Sequence, residues 1–161
     1  NGTDSATTGL WERGDPEATD SNGPKQLGNT VSGSNDLVTG RLAGASAGVY
    51  DIDSGVTSIR SPAITLTGGS NYTLSFSYYL AHGSNATSAD FFRVKIGSGA
   101  TTTTVFERLG SAVDLDAAWT SQTVNLNSFA GQTIQIVIEA ADADTASLIE
   151  AAVDDVRVTR Q

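Results

Sequence analysis

The stretch NYTLSFSYYL puts Tyr72, Leu74, Phe76, Tyr78 and Leu80 on one face and Thr73, Ser75, Ser77 and Tyr79 on the other. A period of two marks a half-buried strand; a helix would repeat its apolar residues at three and four. The pattern returns in FFRVKIG, with Phe92, Val94 and Ile96 inward and Phe91, Arg93 and Lys95 outward. In QTIQIVIEA it groups Ile134, Ile136 and Ile138, and SQTVNLNSF, TTTVFERLG and VTSIRSPAITL supply further short strands. Clusters of Gly, Asn, Asp and Ser, such as TGGSN and AHGSNATSAD, separate these runs. Many short strands with turn-rich connections predict an all-β chain folded as an antiparallel β-sandwich. Strand order and length fit a jelly roll. An immunoglobulin-type sandwich lacks its Cys…Trp…Cys core, because the chain contains no cysteine. DTASLIEAA reads either as a helical turn or as a strand reached through a bulge.

The 161 residues suffice for one domain with a real core. The opening NGTDSATTG, residues 1–9, is polar and aperiodic and reads as a flexible linker, which leaves a single domain over 10–161. We therefore expect an excised module whose parent catalytic domain lies upstream. No apolar run is long enough to span a bilayer. Nine Lys and Arg against eighteen Asp and Glu give a net charge of −9, which argues against a nucleic-acid partner. Missing cysteine excludes disulfides, thiolate metal sites and a thiol nucleophile. Few lysines and abundant Ser, Thr, Asn and Gly suit a secreted, extracellular bacterial domain, expected to act as a monomer.

Acids gather in three places: Glu12, Asp15 and Glu17 in WERGDPE; Asp51 and Asp53 in YDIDSG; and Asp154 and Asp155 in VDDV. Calcium takes oxygen ligands from carboxylates, carbonyls and water in a flexible cage. Asp51 and Asp53 share one face of an extended segment, but the other positions of a helical calcium loop are missing. First and last strands of a sandwich commonly run side by side, which would bring Glu12 close to Asp154 or Asp155. Such opposed carboxylates repel unless a cation separates them. The competing explanation is that one aspartate caps a loop amide and the other is solvated. The long Gly-rich stretch from Gly14 to Gly48 admits the same two readings, ordering by a cation or an ordered loop without metal. Zinc is disfavoured, because His82 is the single histidine.

LWERGDPEAT, TGRLAGASAGVYDIDSGVTSIRSPAITL, YTLSFSYYL, DFFRVKI, AWTSQTVNL, IQIVIEA and EAAVDDVRV, in that order, resemble a MAM-like jelly roll. The set also looks like accessory domains that follow the catalytic domain of secreted bacterial metallopeptidases, zinc carboxypeptidases especially. The resemblance covers roughly residues 10–159. It implies a calcium-bearing, non-catalytic module for adhesion or substrate attachment, with Glu12, Asp15, Asp154 and Asp155 as cation ligands. Asp51 and Asp53 match the peptidase-associated pattern, and Asp90 is a further recurring acid.

An enzyme is disfavoured: no Gly-x-Ser-x-Gly elbow is present, and His82 would have to serve any triad. A carbohydrate-binding module, an architecture that shares the jelly roll, would stack sugars on exposed aromatics. Tyr79, Phe91, Arg93, Lys95 and Gln135 are the outward residues that could bind a polysaccharide or an extracellular protein. Tyr79 and Phe91 packing beneath a loop is the alternative. Trp11 and Trp119 are expected to be structural. A purely structural end domain that stabilises the parent enzyme is the third reading.

Overall fold

A computed structural model of the chain describes residues 4–161. Twelve strands are formed: β1 (Trp11–Gly14), β2 (Thr19–Asp20), β3 (Pro24–Gln26), β4 (Asp36–Thr39), β5 (Gly55–Arg60), β6 (Ile64–Thr65), β7 (Tyr72–His82), β8 (Phe91–Ser98), β9 (Thr101–Leu109), β10 (Thr120–Asn125), β11 (Thr133–Asp142) and β12 (Ile149–Arg160). All pairings are antiparallel. One sheet runs β1-β4-β12-β7-β10 and the second β5-β11-β8-β9, with β6 also on β11. From β4 onward the chain passes back and forth between these sheets, the winding of a jelly-roll sandwich. DTASLIEAA resolves as a loop followed by the start of β12.

The alternation read from the sequence becomes the core. Leu74, Phe76 and Leu80 from β7 meet Phe92, Val94 and Ile96 from β8 and Ile134, Ile136 and Ile138 from β11, all buried. Tyr78 stacks on Phe92 at 5.1 Å between centroids, and Phe106 packs edge-on against Phe76 and Tyr78. Trp11 closes the cluster, and its backbone N–H donates to Thr57 Oγ1 at 3.0 Å across to the second sheet.

A second, smaller core lies on the opposite face of the first sheet. Val38, Tyr79, Ala81, Ala117 and Ala152 are buried there beneath Leu27 and Trp119. The cover is the β2–β3 hairpin together with residues 114–119. Lys25, fully buried, pins the two parts together: its Nζ donates to Asp114 at 2.9 Å and Asp116 at 2.7 Å. Burial alone would lower this lysine's pKa, but the hydrogen bonds and charges of Asp116 and Asp114 raise it on balance.

Residues 4–8 belong to the domain and not to a linker. Ser5 and Ala6 donate backbone N–H to Val56 O, Asp4 Oδ1 accepts from Ser58 N, and Thr8 bridges to Asp53. Residues 1–3 of the expected linker lie outside the described residues. Gly9 must be glycine: its φ is +61°, and a Cβ would lie 2.5 Å from Ile52 N.

Phe92 is fully buried and touches three aromatic rings besides Trp11. Phe92→Ala is expected to cost about 3–5 kcal/mol. A urea titration checks this, the midpoint falling at unchanged slope.

Candidate cation site

The strand order changes what the two adjacent aspartates do. β4 intervenes between β1 and β12, so Glu12 faces Val38 in register and never meets Asp154. Glu12 is satisfied by Arg41: Oε1 accepts the Arg41 backbone N–H at 2.8 Å, and Oε2 lies 3.6 Å from Nε. Asp154 caps a loop. Its Oδ2 accepts from Val31 N and Ser32 N, both at 2.9 Å, and its Oδ1 from Asp155 N at 2.7 Å. Asp155 occupies a bulge at φ +51°, and its Oδ1 accepts from Ser32 Oγ and from Arg157. The expectation that the Asp154–Asp155 pair joins Glu12 around one ion is therefore corrected. Their nearest partners are backbone amides, a hydroxyl and Arg157.

The inserted strand brings an acid the sequence reading did not name. Asp36 opens β4 with 3% of its surface exposed, and neither carboxylate oxygen has a hydrogen-bond partner. Burial first, then the charges of Asp154 and Asp15, push its pKa up to about 7. Asp36 lines a hollow of about 590 Å³ with Arg13, Ser32, Asn35 and Asp154. Of the expected ligands, then, Asp15 and Asp154 are felt at one buried carboxyl.

A second group forms along the outer face where the chain enters β12. Asp51 is 3% exposed; its Oδ2 accepts from Ile149 N at 3.3 Å while Oδ1 has no partner. Burial and Asp53 raise its pKa to about 7. Glu150, 1% exposed, is raised well above the carboxylate range by burial and by Asp51, and its Oε2 is unpartnered. Asp53 itself accepts from Thr8 Oγ1 at 2.8 Å. Asp142 and Asp90 lie beyond, both buried, and share Ser147: its Oγ donates to Asp142 at 3.0 Å and reaches Asp90 at 3.4 Å. Asp90 also accepts from Thr87 N and Ala143 N, the bonding of a loop-holding carboxylate. Among the described residues no three Asp, Glu or His side chains converge closely enough to enclose an ion by themselves. Carbonyls and water would have to complete any calcium shell.

Tyr79 lies on the outer face of the first sheet but is covered there, so it offers no ligand surface. It is 2% exposed, its hydroxyl accepts from Leu27 N at 3.3 Å, and Trp119 packs edge-on against its ring. Phe91, Arg93, Lys95 and Gln135 do share the outer face of the second sheet. Phe91 is covered by the Arg93 guanidinium 3.6 Å above its ring, and Arg93 pairs with Glu107. Lys95 pairs with Glu139 at 2.6 Å, and Gln135 donates to Ser61 O. The aromatic platform that sugar stacking needs is thus replaced by a guanidinium surface. His82 is fully buried, with Nδ1 against Gly83 O.

No family model matches the chain, and no curated protein sequence matches it. Among solved structures it is similar to the K3 cleaved adhesin domain of Lys-gingipain from Porphyromonas gingivalis w83, at 14% identity over 96% of this chain and 93% of that one, with a TM-score of 0.51. The K2 cleaved adhesin domain of Lys-gingipain gives 18% identity over 81% and 74%, TM-score 0.48. An apo cyclase from Fischerella sp. gives 15% over 98% and 87%, TM-score 0.49. The likeness to the K3 domain establishes a shared β-sandwich fold. Chemistry has to be argued from the site.

Asp36 and Asp51, with Asp142 and Glu150 shifted in the same direction, act together on the pH response of the metal-free chain. Asp36 and Asp51 each bind a proton up to about pH 7 when folded, against 3.8 as the ordinary value. Between those limits these two groups bind more protons in the folded state than in the unfolded one, so the stability they contribute is full below about pH 4 and is lost as pH rises through 7. In EDTA the melting temperature is expected to be several degrees higher at pH 5 than at pH 8. Asp36→Asn should flatten part of that slope, which calorimetry across the range will show.

Proposed function

We propose that the chain is a non-catalytic, calcium-binding accessory module of a secreted bacterial hydrolase, serving attachment to a substrate or surface. The observation that carries this is Asp36, a buried carboxyl with both oxygens unpartnered beside the charges of Asp154 and Asp15. An ionised carboxylate so placed is costly unless a cation compensates it. A calcium ion at the hollow, with Asp36 and Asp154 as anionic ligands, Asp15 adding negative charge nearby and loop carbonyls completing the shell, would bind β4 to β12 and to the loop before it. The Asp51–Glu150 pair, flanked by Asp53, offers a second position on the same grounds.

A raised carboxyl pKa also marks general acids. Here the neighbouring Asp154 is held by three backbone amides, the setting of a structural carboxylate and not of a base. His82 is buried away from solvent. These features favour a non-catalytic role. The attachment role rests on the MAM-like resemblance and on a fold shared with an adhesin domain. The metallopeptidase parent rests on the resemblance alone. For the attachment surface we assign the outer face of the second sheet, with Arg93, Lys95 and Gln135 around Phe91. Its paired charges favour an extracellular protein over a polysaccharide.

Calorimetric titration of Ca²⁺ into chelator-treated protein at neutral pH tests the metal. Saturable binding is expected, weakened at least about tenfold by Asp36→Asn. Glu12→Gln should bind as the parent does, because that side chain is engaged by Arg41. No heat, together with melting indifferent to EDTA at pH 7.5, would end the proposal.

A further inference from the structure

The two sheets part on the side of β5 and β6. An apolar cleft of about 560 Å³ opens there, lined by Leu37, Val156 and Val158 from the first sheet and Ile59, Ile64 and Ile136 from the second. Val156 is 37% exposed, an unusual state for a valine on the inner side of a sandwich. The wall made by β12 is also an open strand edge. β7 pairs with β12 along its length, through Arg160, whereas β4 pairs only with Ala152 and Val153. Beyond the bulge, residues 156–160 have no strand on β4's side, and no turn or loop backbone hydrogen bond reaches them among the described residues.

From these features we infer that the cleft receives an extended peptide, added as a strand beside Val156–Arg160. The edge calls for an occupant with its own row of N–H and C=O groups, and the cleft calls for apolar side chains at every second position. A free alkyl chain would fill the cleft but leave the edge unpaired. The charges select the alternate positions. Arg157, 70% exposed at its side chain, projects on the outer face between Val156 and Val158. Arg60 borders the cleft, Arg13 borders the hollow next to it, and Arg160 ends the strand. Of these, Arg60 alone lines the cleft, and Arg157 and Arg160 lie on the open strand, so three of the nine basic residues of a chain of net charge −9 stand at this edge; Arg157 pairs with Asp155, and Arg13 shares its hollow with Asp36, Asp154 and Asp155. Arg13 and Arg60 form no ion pair among the described residues. The fitting partner alternates apolar with acidic residues. Self-pairing of β12 with a second copy would bring Arg157 and Arg160 of both chains together, which disfavours a homodimer. This inference goes beyond the calcium-bearing attachment reading and stands without it.

Fluorescence anisotropy on the full chain tests it with three labelled seven-residue peptides. One alternates Glu and Val, one has the same composition with its valines consecutive, and one carries Lys for Glu. The alternating acidic peptide is expected to bind saturably, and each of the others at least about tenfold more weakly. Val156→Asp should abolish binding, and Arg157→Glu should shift preference toward the Lys peptide. Val156 is already part exposed, so its variant should melt close to the parent, and a melting curve confirms that loss of binding is not loss of fold. Absence of binding, equal binding of the consecutive-valine peptide, or indifference to Val156→Asp would each overturn the inference. Sedimentation showing a parent dimer that Val156→Asp dissociates would overturn it in favour of a second copy.

Discussion

Burial of the first sheet on both faces governs the rest of the molecule. Its inner face meets the second sheet, and its outer face is covered by the β2–β3 hairpin and residues 114–119 through Leu27, Tyr79, Ala117 and Trp119. The second half of β7 and the first half of β12 consequently run between two apolar layers. A carboxyl on the outer face of β4 or β12 loses its water, which is why Asp36 and Glu150 hold their protons so tightly. The outer face of the second sheet has no such cover. There Arg93, Lys95, Glu107 and Glu139 form ordinary half-exposed ion pairs, whose contribution to stability is small. The same residue types thus have different chemistry on the two outer faces, and the cover makes the difference.

The sandwich was legible because its long strands carry an unbroken period of two. Every inward residue expected in β7, β8 and β11 lies in the main core. What escaped is short. β4 is four residues long and hidden in a stretch rich in Gly, Ser and Asn, where DLVT offers only two apolar positions. A local pattern has no access to pairing order, so the insertion of β4 between the first and last strands was invisible. With it went Asp36, the acid on which the site turns. For the Asp154–Asp155 pair, the geometry follows the alternative in which one aspartate caps a loop amide. The explanation of the pair is a bulge and a loop cap. Glu150 lies in DTASLIEAA, where the pattern leaves helical turn and strand open and so does not place its side chain on a face. Tyr79 reads as outward from alternation alone, and it is outward; sequence does not reveal that a distant hairpin covers it.

The bulge at Asp155 connects the carboxyl hollow to the apolar cleft. It ends the pairing of β12 with β4 and turns Val156 toward the second sheet. In the same step it leaves Asp154 free to hold the loop at Val31 and Ser32. Leu37 and Val156 line both hollows. β4 is held to β12 by two register pairs, Val38 with Ala152 and Leu37 with Val153, and by the Thr39 hydroxyl on Ala151, and Asp36 is the next residue along from Leu37. Whatever compensates Asp36, a proton or a cation, therefore acts one residue from a side chain that forms the cleft wall. A proton removes the charge and leaves β4 held by its pairs with β1 and β12 and by Thr39. A cation would add oxygen ligands from several segments and fix the strand in place. The difference reaches the cleft through Leu37, the neighbour of Asp36 that lines both hollows.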